Sequence, residues 1–160
     1  RKTDVLYLAD SLGSLKFNQV KKIVHMFKKY WKLDLGIHAH NNLNLALKNS
    51  IQANKLGVIW IDSTITGMGR GAGNLRTELL LTYLNSKGYE GITFVDLSAT
   101  VALFEDLKKD HGWGTNLPYM FSGAYSLPQK CSSSKISYFF NSSTSSLAFF
   151  ASHIFLSIFE

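Results

Sequence analysis

Three short apolar runs, each closing in polar residues and each followed by a helical pattern, constrain this chain most. Residues 5–9 (VLYLA) lead into Asp10 and Ser11, residues 33–38 (LDLGIH) into His40, Asn41 and Asn42, and residues 58–61 (VIWI) into Asp62, Ser63 and Thr64. Short apolar runs of this kind suit strands buried on both faces. Phe17, Val20, Ile23, Val24, Phe27 and Trp31 recur at helical spacing over 17–31. Leu43, Leu47, Ile51 and Asn54 share one face of an expected second helix over 43–55. Leu75, Leu79, Leu80 and Tyr83 mark a third, ended by Lys87 and Gly88, and Leu97, Val101, Phe104 and Leu107 a fourth over 96–109. Strand–helix alternation builds parallel sheets, either an open doubly wound sheet or an eight-stranded β/α barrel. Three strands cannot close such a barrel, which takes about 250 residues. The expected fold is therefore α/β, a small open sheet or a partial barrel.

Polar groups at the carboxyl ends of parallel strands are where both architectures put their chemistry. His38 and His40 stand two apart at the end of a strand, so both imidazoles point to one face and can reach one ion. The next strand is followed by a glycine loop, with Gly67, Gly69, Gly71 and Gly73, and then by the amide of Asn74. Two histidines with an oxygen donor suit a divalent metal that holds an oxygen-rich substrate. A His-x-His pair alone is weak evidence, because a surface or hydrogen-bonded pair looks the same. His25 falls on the apolar side of a helix and reads as a core or boundary residue, while His111 and His153 carry no partner signal.

The bulk properties exclude several classes. One cysteine, Cys131, rules out an internal disulfide framework and fits a reducing, cytoplasmic setting. The net charge of +6 comes largely from Lys16, Lys21, Lys22, Lys28, Lys29 and Lys32, in or around one amphipathic helix, which reads as a solvated face. Basic residues interleaved with exposed aromatics are missing, so no nucleic-acid partner is expected. The apolar stretch 147–159 is interrupted by Ser152, His153 and Ser157 and is shorter than the roughly 20 residues of a membrane span, so no membrane is expected either. Residues 131–160 are one-third serine interleaved with phenylalanine, without sustained period. That composition reads as an atypical tail, from a shifted reading frame or a divergent terminus. The start at Arg1, without methionine or signal segment, reads as the interior of a longer protein.

Asp10, Ser11, Leu12 and Gly13, the His38-x-His40-Asn41 motif, Asp62 with Ser63, and the glycine run through Asn74 with Glu78 occur in one order and spacing. That pattern resembles the metal-dependent aldolase and lyase barrels, the HMGL-like superfamily, and looks most like its 4-hydroxy-2-oxovalerate aldolase branch. The resemblance covers about residues 4–128 and implies that the three strands are the last three of a TIM barrel. Residues 1–110 would be the barrel part, 111–130 a post-barrel segment and 131–160 the tail. By resemblance, His38 and His40 are metal ligands, Asn74 lies at the ion, Ser11 approaches the substrate carboxylate, Asp10 orients ligands, and Glu78 supports the loop. The cofactor implied is a divalent metal, Mn2+ first, with Mg2+, Co2+ or Zn2+ as alternatives. The chemistry implied is cleavage or formation of a carbon–carbon bond in a 4-hydroxy-2-oxo acid through a pyruvate enolate. The family's Arg and Asp from the first strand, and its general base, have no counterpart in these 160 residues, so the fragment alone is expected to be inactive. An aldehyde dehydrogenase, or a complete subunit of the same family, is the partner implied.

Three other readings stand beside this one. A related acyl-CoA lyase or synthase shares the barrel, but the lyase branch expects a cysteine in the glycine loop where this chain has Gly69, Arg70, Gly71 and Ala72. A NAD-binding Rossmann-like domain would use the glycine run as G-x-G-x-x-A and Glu90 as its ribose-binding acid. However, Glu90 precedes the candidate strand 92–95 instead of ending one, and the His pair is left idle. A non-catalytic truncated paralogue is the third.

Overall fold

The computed structural model describes residues 3–89, 91 and 94–127. Its centre is a parallel sheet of three strands, β1 (Val5–Asp10), β2 (Asp34–Ala39) and β3 (Trp60–Ile61), in that spatial order. Around it lie α1 (Phe17–Tyr30), α2 (Ala46–Lys55), α3 (Thr77–Asn85), α4 (Phe94–His111) and α5 (Leu117–Ala124). The β1–β2 register sets Tyr7 beside Gly36, Leu8 beside Ile37 and Ala9 beside His38.

Side-chain alternation divides the sheet into two unlike faces. Leu8, Leu35, Ile37 and Ala39 point to the face covered by helices, where they form the core with Val20 and Val24 of α1 and Ala46 and Ala53 of α2. Tyr7, Gly36, His38 and Trp60 belong to the other face, on which Tyr7 and Trp60 are exposed. The helices thus hold the sheet from behind, and the polar face is open in the described residues.

Helix α1 follows its sequence pattern. Its lysines face solvent, and Lys32 Nζ closes the last turn on the carbonyls of Lys28 and Lys29, where positive charge favours the helix C-terminus. His25 is exposed and not part of the core, the other half of the core-or-boundary expectation, because Val20 and Val24 define the buried stripe and His25 lies beside it.

Other elements depart from the sequence reading. Helix α2 starts at Ala46, not at residue 43, because Asn41 Oδ1 accepts from Ala46 N and Asn44 takes a positive φ of 56°. Its buried face is Ala46, Asn49, Ser50 and Ala53, with Leu47 and Ile51 at the margin and Asn54 exposed, so the face is offset by one residue from the predicted stripe. The run 58–61 gives a ladder of only two residues. Val58 N instead closes α2 on Ala53 O, and Ile59 is exposed. Helix α4 is longer than predicted and takes up Phe94 and Val95, which removes half of the candidate strand 92–95; Ile92 and Thr93 lie outside the described residues. The tail 131–160 lies outside them as well.

The segment expected to follow the barrel, residues 111–130, contains α5. Asn116 caps it by accepting from Tyr119 N at 3.0 Å, and Pro118 sits in its first turn. This segment returns to the sheet. Trp113 is buried and donates Nε1–H to Thr66 O at 3.2 Å, Gly114 N bonds Gly71 O, and Thr115 Oγ1 bonds Asn41 O at 2.7 Å. Asn42, fully buried, donates from Nδ2 to Tyr119 O and Ser122 Oγ. Trp113→Ala should therefore cost about 3–5 kcal/mol, the range for emptying a buried aromatic site. Trp113→Phe should cost about 1 kcal/mol, for the lost hydrogen bond. Urea unfolding of the two variants, with hydrogen exchange across 66–74, checks both.

Candidate metal centre

Each functional group is placed by the end of a strand. The chain leaves β2 at Ala39 and pairs at once with the glycine loop: Leu75 N donates to Ala39 O at 3.0 Å and Asn41 N to Gly73 O at 2.9 Å. These two bonds flank an antiparallel bridge between His40 and Asn74. The loop reaches this position through backbone conformations that require glycine, with φ of 71° at Gly67 and 78° at Gly73. A Cβ at Gly69 would lie 2.7 Å from Asn74 Nδ2, so the loop is also cut close around the amide.

His38 and His40 do share a face, with ring centroids 5.3 Å apart in an edge-on arrangement. His38 Nδ1 lies 3.1 Å from Asp62 Oδ2. His40 is buried, and burial, followed by the neighbouring His38 and Arg70, pushes its pKa below the ordinary histidine value. A neutral imidazole keeps a lone pair for a ligand. His40 Nδ1 and Asn74 Oδ1 are buried without a hydrogen-bond partner, and Asn74 Nδ2 is committed to Met68 O at 3.0 Å. Buried polar atoms left unpaired cost about 1–3 kcal/mol each, so two at one place ask for a ligand.

The remaining predicted residues separate into neighbours and supports. Ser11 is exposed in the turn that follows β1. Asp10 is buried, but its carboxylate is occupied by Ser14 N at 3.1 Å and Leu15 N at 3.2 Å. It meets the histidines through its backbone, Asp10 O accepting from His40 N at 3.4 Å, and not through its side chain. Glu78 stays clear of the His pair: Oε2 accepts from Thr66 N at 3.0 Å and Oε1 from Arg76 Nε at 2.6 Å, which holds the start of the glycine loop. Gly71, at a φ of 64°, gives its carbonyl to Gly114 N. Asp62 closes the third strand and belongs with Ser63 to the family-like pattern, but the sequence assigns it no role at the site. Its position at the end of the strand beside His38 was the available signal for a role at the site.

Among the described residues no group of three or more His, Cys, Asp or Glu could hold a metal ion. Two imidazoles and an amide oxygen suit a divalent cation in donor type and leave it short of a carboxylate. A polar cleft of about 250 Å³ between the glycine loop and residues 114–120 is bordered by Asn74, Thr66, Arg76 and Lys108, but not by either histidine. The histidines work on the open sheet face instead. No helix among the described residues is long and apolar enough to cross a membrane.

A parallel α/β layer with its polar groups at the strand ends defines the class: an α/β domain like those of TIM-barrel lyases. The HMGL-like family model matches residues 3–106, and the chain belongs to that family. It is 41% identical over 104 residues to the 4-hydroxy-2-oxovalerate aldolase of Brevibacillus brevis, covering 65% of this chain and 30% of that protein. The chain thus spans about a third of the length of the curated relatives it matches. Among solved structures it resembles the N-terminal domain of a Bacteroides vulgatus protein described as an aldolase, at a TM-score of 0.81 and 46% identity, covering 86% of this chain and 46% of that one. An HMG-CoA lyase from Acinetobacter baumannii is similar at a TM-score of 0.54 and 28% identity, over 68% of this chain and 37% of that one.

Burial raises the Asp10 pKa above 3.8, outweighing the backbone hydrogen bonds from Ser14, Leu15 and Gly13 that lower it. The folded chain therefore holds more protons than the unfolded chain between 3.8 and the raised value, and stability should fall as pH climbs through that interval. Asp10→Asn should flatten this slope. Asp10→Ala should cost about 1–3 kcal/mol at every pH, by stranding two backbone donors. Unfolding free energies measured at several pH values separate the two effects.

Proposed function

We propose that this chain carries the metal-binding and part of the substrate-binding surface of a divalent-metal-dependent carbon–carbon lyase of the 4-hydroxy-2-oxovalerate aldolase type. The observation that carries the reading is the convergence of two histidines and an unpaired amide oxygen on one strand end, in a chain of the HMGL-like family. On this reading the three strands are the last three of a TIM barrel, and the open sheet face is its interior.

His38, His40 and Asn74 would hold the cation, Mn2+ first among candidates. A bound divalent cation supplies Lewis-acid polarisation of the 2-oxo and carboxylate oxygens of the substrate. Ser11, exposed at the mouth of β1, would donate to the substrate carboxylate. The glycine loop, held by Glu78 at Thr66 and by Trp113 behind it, would wall the site and keep Asn74 against His40. Cleavage of the bond between C3 and C4 leaves pyruvate and an aldehyde. Taking the proton from the C4 hydroxyl requires a base, and stabilising the developing enolate oxygen requires a cationic or hydrogen-bonding donor. We assign both, and the missing carboxylate ligand, to parts of the enzyme outside this chain, so the 160-residue chain alone should be inactive. An aldehyde-consuming dehydrogenase is the partner this product would call for. The acyl-CoA lyase reading is weaker, since no cysteine stands in the glycine loop.

A chimera tests this directly. Residues 3–106 would replace the matching segment of the Brevibacillus brevis aldolase, and pyruvate release from 4-hydroxy-2-oxovalerate would be followed with Mn2+. Turnover should appear, and His38→Ala should lower it by about two orders of magnitude or more, the scale of losing a metal ligand's contribution. A folded chimera without turnover would refute the assignment. Robust turnover by the 160-residue chain itself would refute the fragment part of it.

A further inference from the structure

Gly36 is a glycine in the middle of the central strand, where it weakens a β-ladder unless another group needs the space. Here another group needs it. The register puts Tyr7 of β1 beside Gly36 of β2, and the Tyr7 ring lies over the glycine. A Cβ at position 36 would overlap the ring, with Cζ 2.5 Å and Cδ1 2.6 Å away. The bare backbone lets the ring lie across β2 on the side of Asp62, and after burial the nearby Asp62 carboxylate pushes the Tyr7 pKa above its ordinary value. Asp62 in turn holds His38 Nδ1 at 3.1 Å.

We propose that Tyr7, Asp62 and His38 form a positioning chain, seated on Gly36, that commits His38 to the Nδ1–H tautomer and presents Nε2 to the ligand. An ionised carboxylate only accepts hydrogen bonds, and it has two oxygens, so it takes the Tyr7 O–H and the His38 N–H together. A neutral imidazole has one N–H. Once Nδ1 donates to Asp62, the lone pair is on Nε2, and ring rotation would break the bond. Asp62 is half exposed and would otherwise turn freely toward water. The phenol would restrict it. His40 has no such partner: its Nδ1 is buried and unpaired, and its backbone is held by the bridge to Asn74. The two histidines are thus held by different devices. That the ligand is a divalent cation rests on the function proposed above; the tautomer does not.

Long-range ¹H–¹⁵N correlation spectra of the labelled 160-residue chain read the tautomer without any metal. Wild type should show His38 as Nδ1–H. Asp62→Ala should move it toward Nε2–H, the form a free histidine side chain prefers, and Asp62→Glu should restore part of the wild-type pattern. Tyr7→Phe, at an exposed position where folding is not at stake, and Gly36→Ala should give a mixed tautomer, with His40 unchanged. A Co²⁺ titration should then weaken about 10- to 100-fold for Asp62→Ala, with Tyr7→Phe in between. A His38 tautomer that is the same in wild type, Asp62→Ala and Tyr7→Phe overturns the positioning chain. The expected tautomer changes in a chain that binds no Co²⁺ would uphold it and count against the metal reading instead.

Discussion

Two backbone hydrogen bonds, from Leu75 N to Ala39 O and from Asn41 N to Gly73 O, hold the site together. They extend the central strand beyond the sheet by pairing it with the glycine loop. Without them the loop would be a long surface excursion and Asn74 would have no reason to sit beside His40. The positive φ angles at Gly67 and Gly73 follow from this pairing, since a loop that must double back within a few residues needs left-handed turns. So does the close cut at Gly69, which leaves no room for a side chain between the loop and the amide. Sequence, loop geometry and donor placement are therefore one constraint viewed at three scales.

Local stability and readiness for a ligand pull in opposite directions here. Core helices bury Val20, Val24 and Ala53 completely against the back of the sheet. The front carries unpaired His40 Nδ1 and Asn74 Oδ1, exposed Trp60, and a histidine kept neutral by burial. The two unpaired buried atoms weaken the folded chain relative to apolar replacements. Asn42, Asn49, Ser50 and Thr66 also carry unpaired buried atoms, but His40 and Asn74 are the two that face each other across the bridge at the end of β2.

The sequence made the sheet legible because both β1 and β2 are short apolar runs that end in polar residues, and it made α1 legible because Val20, Val24 and Phe27 repeat at 3.6-residue spacing. The pairing of His38 with His40 was legible from strand alternation alone. What it hid was set by contacts between distant residues. Helix α2 starts late because a side chain, Asn41, and a left-handed residue, Asn44, compete for the first turn. Its true buried face contains Asn49 and Ser50, polar residues that no hydrophobic stripe announces; Asn49 is there to bond Leu15 O at 2.7 Å. Asp10 looked like a ligand-orienting acid and is a turn-closing one, since the amides of Ser14 and Leu15 reach it first. Asp62 had the reverse fate: its link to His38 crosses 24 residues and exists only because β2 and β3 are neighbours.

The segment after α4 shows why the strand-end site cannot be understood from the strands alone. Trp113, Gly114 and Thr115 touch Thr66, Gly71 and Asn41, which are three points on the two loops that carry the histidine and the amide. Asn42, next in sequence, is held from α5 through Tyr119 and Ser122. A side chain on Gly123 would press within 2.8 Å of Asn42 Cβ, so α5 is packed against that loop as closely as backbone allows. The loops therefore have a rigid backing on one side and an open sheet face on the other. Packing of this kind on one side holds His40 and Asn74 in place although both carry unpaired buried atoms.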